Sequence, residues 1–378
     1  MAFTSRKRKL YFLTLAIRIV NLFDHWGYMS QIYIACFLMA LLFAAPSLAG
    51  TDKLVLVAVG DIMPAGSATA TLARKGYDYP FSSTVHILRT ADVSVGNLEA
   101  PLTRRGNEYS GKKFRFRADP RSAAALRSAG FSVLTLANNH IMDFGSVGLQ
   151  DTLSALRSVN ILHTGACMDL AGARGPAILR RKGKIIAFLA YSLTQPLEFF
   201  ATANRAGAAP GYARYFREDI RRAKTMADHV VVSFHWGAEL AVFPKAYQEE
   251  AARRSIDEGA DVVIGHHPHV PQGIEHYRGG IIFYSLGNFA FGSMSPHTDV
   301  GIMARITLSG GVTEAEVIPL DVKNSRVRYQ PQILKGARAR AVVSGLNRLS
   351  RRWNTEIRPE GERYLVRVNP SAPGLAVR

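Results

Sequence analysis

The feature that most constrains this fold is a series of continuous apolar segments of strand length. Seven of them recur between residues 54 and 289, namely LVLVAV, ADVSVGNLE, FSVLTLANNH, KIIAFLAYS, HVVVSFHWG, ADVVIGHHPH and GIIFYSLGNF. Helix-like amphipathic segments separate several of these runs, at residues 120–129, 148–159, 216–227 and 247–258. Apolar strands that alternate with helices predict an α/β fold whose strands are buried on both faces.

The C-terminal third is predicted to add antiparallel strands, so the α/β fold should also contain α+β elements. The segment GIMARITLSGGVTEAEVIPL reads as two strands that meet at Gly310 and Gly311, which predicts a hairpin. Beyond residue 320 the pattern loosens into a basic helix-like stretch at 335–353 and a short tail strand near 364–368. We therefore divide the chain into a leader at 1–49, a core domain at 50–320 and a basic extension at 321–378.

The leader is predicted to be a signal peptide or an N-terminal membrane anchor. A basic stretch, SRKRK, precedes the uncharged run IYIACFLMALLFAAPSLAG, which ends in the small-x-small form of a signal-peptidase site. An uncleaved run would be short for a spanning helix but would tether the protein to a membrane. Met29 is an alternative start. We expect an exported protein of the periplasm or cell envelope.

The formal charge of +18 is distributed unevenly along the chain. Residues 321–378 carry 13 Lys and Arg against 4 Asp and Glu, a net charge of +9. Such a surface suits an anionic polymer or a membrane surface, although a merely solvated basic surface explains it equally well. No nucleic acid is expected as a partner, because no recognition motif with stacking aromatic residues is visible.

Polar residues follow the apolar runs at the point where each predicted strand ends. They are Asp61; Asn97 and Glu99; Asn138, Asn139 and His140; His235; and the cluster His266, His267 and His269. In α/β sheets the ligand site lies beyond the carboxyl ends of the strands, so residues distant in sequence converge there. The sequence therefore predicts a functional site built from five strand ends.

This set of side chains favours a particular kind of metal site. Carboxylate, amide oxygen and imidazole together suit divalent Mn, Fe or Zn, and a chain with only two cysteines offers no closed structural zinc site. There are more ligands than one catalytic ion needs. Two ions that share a bridging carboxylate would use them, with a bound water acidic enough to attack at neutral pH.

Six motifs, GDIMPAG, GNLEAPLT, LANNHIMDFG, FHWGAEL, GHHPH and YSLGNF, occur in this order. Together they resemble the CapA family of poly-γ-glutamate capsule synthesis proteins, a branch of the calcineurin-like metallophosphoesterase superfamily. The resemblance covers residues 54–320. It implies two packed mixed β-sheets flanked by helices, a dimetal centre at the strand ends, and a role in making, exporting or anchoring an anionic capsule polymer.

The resemblance also implies roles for individual residues. The implied metal ligands are Asp61, Asn97, Glu99, Asn139, His235, His267 and His269, with Glu99 as the bridging carboxylate and Asn97 as an assisting residue. His140 would protonate a leaving group or steady a phosphoryl oxygen, and Asp143 would orient His140. On an extended segment, alternate spacing points His267 and His269 to one side and His266 away from it.

One motif departs from the superfamily pattern. The common Asp-x-His start is Asp61-Ile62-Met63 here, and a thioether is a poor ligand for such metals. Three other residues near the motifs are given no role in the site. Asn288 is interpreted as a structural turn residue near the site, and Glu239 and Asp299 are interpreted as surface residues.

These observations lead to one main hypothesis and two alternatives. The main hypothesis is an exported metal-dependent hydrolase of the CapA type that acts on a phosphoester or amide bond. The first alternative is a non-catalytic, polymer-binding accessory subunit of a membrane-bound capsule synthase. The second is a periplasmic phosphodiesterase or nucleotidase, although no nucleoside-stacking domain is recognisable.

Overall fold

The computed structural model describes residues 53–368. The predicted leader at 1–49 lies outside the described residues. Within the described range, no helix combines the length and the apolar character that crossing a membrane requires.

Strands and helices alternate along the described chain as the sequence pattern predicts. The strands are β1 (Leu54–Met63), β2 (Val93–Leu98), β3 (Val133–Thr135), β4 (Leu162–Thr164), β5 (Ala166–Cys167), β6 (Ala177–Arg181), β7 (Lys184–Ser192), β8 (Gly207–Ala208), β9 (His229–His235), β10 (Val262–His266), β11 (Ile274–Tyr277), β12 (Gly280–Phe283), β13 (Asn288–Phe291), β14 (Val300–Leu308), β15 (Val312–Asp321), β16 (Gln332–Ile333), β17 (Thr355–Glu360) and β18 (Arg363–Val368). The α-helices are α1 (Thr69–Lys75), α2 (Val85–Thr90), α3 (Ser122–Ala129), α4 (Gly145–Ser158), α5 (Leu170–Ala173), α6 (Ala213–Lys224), α7 (Ala246–Asp257), α8 (Asn324–Val327) and α9 (Gly336–Ser350). Short 3-10 helices lie at Gly66–Ala68, Tyr79–Phe81, Leu197–Phe199 and Arg351–Trp353.

The strands form two large mixed sheets. The first has the order β17-β18-β15-β14-β1-β2-β3-β4, with β13 paired to the end of β1 and β16 paired to β15. Strands β1 to β4 run parallel to one another, whereas β14 is antiparallel to β1. The second sheet has the order β11-β12-β10-β9-β7-β6, with antiparallel strands at both edges. Strands β5 and β8 make a separate small pair.

The two large sheets pack face to face through a shared apolar core. Leu56 and Val95 of the first sheet belong to the same buried cluster as Phe188, Val231 and Ile264 of the second. Helices cover the opposite faces: α2 and α4 contact β2 and β4, while α6 and α7 contact β7, β9 and β10. Strands buried on both faces need apolar residues throughout, which explains the continuous runs. The predicted α/β fold with two packed mixed sheets flanked by helices is confirmed.

The basic segment after residue 320 is integrated into the first sheet. Strands β17 and β18 extend this sheet beyond β15, and α9 packs on β15 and β17 with Ala339, Val343 and Leu346 buried. The predicted hairpin is β14–β15, and the predicted tail strand is β18. Six arginines of this segment form ion pairs with carboxylates: Arg326, Arg338, Arg352, Arg358, Arg363 and Arg367.

Two glycines allow the strands that carry polar residues to approach neighbouring backbone closely. A Cβ atom on Gly60 would lie 1.8 Å from the carbonyl oxygen of Gly287, and one on Gly265 would lie 1.9 Å from that of Tyr284. Asp61 and His266 directly follow these glycines. The absence of a side chain at Gly60 and Gly265 therefore allows the close backbone packing that positions Asp61 and His266.

Gly60→Ala is expected to lower the free energy of unfolding by about 3 kcal/mol, because backbone must move to admit the methyl group. The midpoint of urea unfolding measures the loss. The control is Gly345→Ala in α9, where the new Cβ would meet only Arg348 Nη2, at 3.7 Å. Alanine there is expected to stabilise the helix by about 0.5 to 1 kcal/mol. Equal midpoints for the two variants would contradict the close-contact explanation.

Candidate metal centre

Polar side chains from several strand ends meet where the two sheets present their carboxyl edges. They come from β1 (Asp61), β2 and the residue after it (Asn97, Glu99), the loop after β3 (Asn138, Asn139, His140), β9 (His235), β10 and its following turn (His266, His267, His269) and β13 (Asn288). Each of these residues contacts at least one other member of the group, His140 and His267 through their backbone N–H groups.

Asp61 is completely buried and is surrounded by donors. Its Oδ1 accepts a hydrogen bond from Asn97 Nδ2 at 2.9 Å and lies 2.9 Å from His266 Nδ1. Its Oδ2 accepts from the His267 backbone N–H at 3.2 Å and lies 3.2 Å from His269 Nδ1. Burial alone would raise the pKa of Asp61, but His266 and His269 hold that pKa well below its ordinary value. Asp61 therefore remains a carboxylate at neutral pH.

Glu99 is equally buried but is poorly satisfied by the protein. Its Oε2 accepts from Asn97 Nδ2 at 3.3 Å, whereas Oε1 has no hydrogen-bond partner within residues 53–368. That oxygen lies 3.6 Å from His235 Nε2 and 3.8 Å from His269 Nε2. Burial and the charge of Asp61 raise the pKa of Glu99 well above its ordinary value. An orphaned carboxylate oxygen between imidazole nitrogens is costly without a cation, so the position fits a metal ion.

Two overlapping sets of three ligands share Glu99. Glu99, His267 and His269 form one set, and Asp61, Glu99 and His235 form the other; in each set, one ligand atom per residue lies within 4.8 Å of the others. Carboxylate and imidazole are ligands that suit Mn, Fe and Zn. The donor set therefore fits two divalent ions that share the Glu99 carboxylate.

The imidazoles around these sets differ in their electrostatic environments. Burial and the nearby charge of His269 lower the pKa of His267 to about 3, and His267 Nδ1 has no partner in the described chain. Burial and the neighbouring His267 likewise lower the pKa of His235. Burial would lower the pKa of His269, but Glu99 and Asp61 raise it to about 9. His235 and His267 are thus neutral at pH 7, which is the form that binds metals.

Hydrogen bonds from asparagine amides fix the positions of the acidic and imidazole side chains. Asn97 donates to both carboxylates, and its Oδ1 accepts from Asn138 Nδ2 at 3.0 Å, so both ends of its amide are engaged by protein groups. Asn138 also donates to the Leu98 carbonyl at 2.8 Å and accepts from the His140 N–H at 3.1 Å. Asn139 Oδ1 lies 2.8 Å from His235 Nε2. The sequence indicated the position of Asn138 but not this bracing role.

The interpretation that His266 points away from the site is wrong. His266 Nδ1 contacts Asp61, and the chain beyond it is a turn, with φ of 93° at His267 and 60° at His269. Alternate pointing holds only on an extended strand, and β10 ends at His266. Positive φ at two residues that are not glycine is a costly conformation of the kind found at functional sites.

Four further residues near the motifs meet different outcomes. Met63 is fully buried in the apolar core, so it takes no place among the ligands. Asn288 is not a turn residue but begins β13, and its Oδ1 lies 2.9 Å from His269 Nδ1. Glu239 is exposed as expected but lines a cavity together with His140 and His269. Asp299 forms an ion pair with Lys323 at 3.1 Å near the surface.

His140 is held by a buried ionic network beside the ligand sets. Its Nδ1 lies 2.6 Å from Asp143 Oδ2, the contact that the resemblance implied. Asp143 also accepts from the Phe116 N–H at 2.8 Å and from Lys112 Nζ at 2.7 Å. Lys112 donates in addition to the Asn139 carbonyl. Sequence reasoning missed Lys112, because its loop holds several basic residues and no motif distinguishes one of them.

Lys112→Met is expected to cost about 3 kcal/mol of stability, because it leaves the buried Asp143 carboxylate short of a donor. The double variant Lys112→Met with Asp143→Asn should recover part of that loss, since neither position then carries a buried charge. Urea unfolding measures the free energy of unfolding of the wild type, of Lys112→Met and of the double variant. Lys113→Met removes a neighbouring exposed lysine and should change little. A Lys112→Met variant as stable as the wild type would show that the ion pair contributes nothing.

Fold and site together define a class: this is an α/β protein with two packed mixed sheets and a buried cluster of carboxylate, amide and histidine side chains at their strand ends. The family described as "Bacterial capsule synthesis protein PGA_cap" matches residues 55–293. The chain belongs to this family of bacterial capsule synthesis proteins, which confirms the resemblance seen in the motifs.

Two relatives from Bacillus show the same relationship. The chain is 36% identical over 274 residues to the PGA biosynthesis protein CapA of Bacillus subtilis (strain 168), covering 72% of each chain. It is 32% identical over 280 residues to the capsule biosynthesis protein CapA of Bacillus anthracis, covering 72% of this chain and 68% of that one. Among solved structures, the calcineurin-like phosphoesterase YfkN from Bacillus subtilis is similar with a TM-score of 0.44 and 13% identity, covering 72% of this chain and 92% of that chain.

Proposed function

We propose that this chain is an exported, metal-dependent hydrolase that cleaves a phosphoester bond, or an amide bond, during capsule polymer synthesis, export or anchoring. One observation carries the proposal. Glu99 is buried, lacks a partner for Oε1 among the described residues, and belongs to both sets of possible ligands. A buried carboxylate with an unpartnered oxygen destabilises the folded protein unless cations lie beside it.

The residues present would hold two divalent ions of Mn, Fe or Zn. Asp61, Glu99 and His235 would hold one, and Glu99, His267 and His269 would hold the other. Asn139, which contacts His235, is the proposed amide ligand. Bound divalent ions supply Lewis acidity and a nucleophile at neutral pH.

The chain's own contribution to catalysis centres on His140. Its Nδ1 is engaged by Asp143, so Nε2 is the ring nitrogen left for a substrate, and the side chain lines a cavity beside the ligand sets. Asp143 and Lys112 fix the ring through buried contacts. A histidine held in this way can deliver a proton to a leaving group. Asp143 and Lys112 are then positioning residues.

The capsule role is supported by family membership. The relatives from Bacillus subtilis and Bacillus anthracis carry the names PGA biosynthesis protein and capsule biosynthesis protein. The proposed polymer is therefore anionic, such as poly-γ-glutamate, and the proposed partners are membrane-bound capsule synthase subunits. The segment 1–49 would direct export to the periplasm or cell envelope and contact the membrane surface, and no nucleic acid partner is proposed.

Metal analysis of the full chain tests the proposal. The protein is stripped with chelator, reconstituted with manganese and passed through a desalting column before its metal content is measured. Two ions per chain are expected, together with hydrolysis of bis(4-nitrophenyl) phosphate that chelator abolishes. A reconstituted chain with no bound metal and no turnover would contradict the proposal.

A polymer-binding accessory subunit is the second candidate, and the basic C-terminal surface favours it. Lys335 and Arg340 are exposed and form no ion pair within residues 53–368. Most other arginines of that segment form ion pairs with carboxylates, so the free positive charge of this surface is smaller than the net charge of the segment. If the chain is an accessory subunit, replacement of Lys335 and Arg340 by Gln should weaken the binding of poly-γ-glutamate to the protein. If the chain is a hydrolase, the same replacement should leave phosphodiester turnover unchanged.

A further inference from the structure

A cavity of about 320 Å³, here called the cleft, opens directly beside the candidate metal centre. His140 and His269 both contribute to its wall. The Phe116 ring lies 4.8 Å from the His140 ring, and the Phe291 ring lies 4.7 Å from the His269 ring. A group bound in the cleft would therefore touch the side chains that flank the proposed reaction centre.

Apolar side chains from three separate loops line the cleft and remain exposed. Phe114, before α3, is 60% exposed; Leu240, after β9, is 42% exposed; and Met294, after β13, is 55% exposed. Phe114 stacks on Phe116 with a ring separation of 6.5 Å, which continues the apolar wall inward. Large apolar side chains gathered from distant loops around one cavity mark a ligand-binding surface, since each exposes apolar area to water in the free protein.

Within the described residues, the cleft lacks the lysine and arginine side chains that make the chain as a whole basic. None of the residues described as lining it is Lys or Arg, although the net charge of the chain is +18. Its one carboxylate side chain is Glu239. Lys112, the lysine that contacts His140, is already bound to Asp143.

His269 already faces the carboxylates of Asp61 and Glu99, and no lysine or arginine of residues 53–368 lines the cleft. A run of carboxylates placed there would therefore meet Glu239 and apolar surface without a free basic partner, which is unfavourable.

We propose that the cleft binds an uncharged alkyl or aryl group of the substrate, directly beside the scissile phosphoester. This inference rests on the proposed function and narrows its substrate class to amphiphilic phosphoesters. The acidic portion of a capsule polymer would then lie outside the cleft. A phosphoester that joins a polar product to an apolar alcohol has the matching chemistry.

Binding of two phosphonates that differ only in the apolar group tests the inference without requiring turnover. Methylphosphonate and phenylphosphonate are titrated into the full chain loaded with manganese, and affinities are measured by calorimetry. Phenylphosphonate is expected to bind at least about ten-fold more tightly, because the ring is transferred from water to the apolar wall. In the double variant Phe114→Ala with Met294→Ala the ratio should fall towards one.

The matched control is Phe243→Ala, which removes a phenylalanine that is 54% exposed but does not line the cleft. This variant should keep the wild-type ratio. Tri-γ-glutamate should not displace phenylphosphonate. Equal affinities for the two phosphonates, an unchanged ratio in the double variant, or displacement by tri-γ-glutamate would overturn the inference alone. Failure of the full chain to bind manganese would overturn the proposed function as well.

Discussion

Under the proposed function, Glu99→Gln is expected to remove both metal ions and to lower phosphodiester turnover by about 10³-fold or more. Glu99 belongs to both ligand sets, so its loss weakens both sites at once. A 10³-fold loss corresponds to about 4 kcal/mol of transition-state stabilisation, which is the scale of metal-ion catalysis. Metal content per chain and kcat for bis(4-nitrophenyl) phosphate are measured on the same preparation.

The same substitution should stabilise the metal-free protein at neutral pH. Burial and Asp61 raise the pKa of Glu99 in the folded state, so the folded state binds its proton more tightly than the unfolded state does. Wild-type stability in chelator therefore falls as pH rises above the ordinary glutamate pKa, and glutamine removes that dependence. Thermal unfolding in chelator at a series of pH values measures the difference.

Glu316→Gln is the matched control, because Glu316 is also a buried glutamate but lies on β15. It is held by Arg305 at 3.2 Å and Arg363 at 3.1 Å, and it belongs to neither ligand set. This variant should retain both metals even if its unfolding midpoint falls. Full metal content and turnover in Glu99→Gln would show that Glu99 is not the shared ligand.

His140→Ala is expected to lower kcat by about 10²- to 10⁴-fold while leaving metal content unchanged. The magnitude is typical of a lost general acid, and His140 lies outside both ligand sets. The loss should be larger for a substrate with a phenol leaving group than for one with 4-nitrophenol, since a poorer leaving group needs the proton more.

Asp143→Asn should reduce kcat in the same direction, because it alters the contact that orients the His140 ring. His163→Ala removes a half-buried histidine on β4 and should leave kcat unchanged. If His140→Ala loses metal and turnover together, or shows equal losses with both leaving groups, His140 acts as a ligand and not as a proton donor.

The sequence by itself determined the sheet architecture and the location of the candidate site. Strands buried on both faces are largely apolar, so continuous apolar runs such as those within residues 54–59 and 262–266 predict them from sequence alone. The carboxyl ends of strands in an α/β sheet converge, so Asp61, Glu99 and His235 could be grouped from their positions alone.

Tertiary structure alone decided how those residues are used. The contact of His266 with Asp61 depends on a turn with positive φ, which a spacing rule for extended chain does not anticipate. Lys112 reaches Asp143 across 31 positions of sequence, and no local pattern marks that pairing. The exposed apolar side chains of the cleft likewise come from three separate loops. Strand periodicity follows from backbone geometry within one segment, whereas these contacts depend on how distant segments pack, and only the folded chain specifies that.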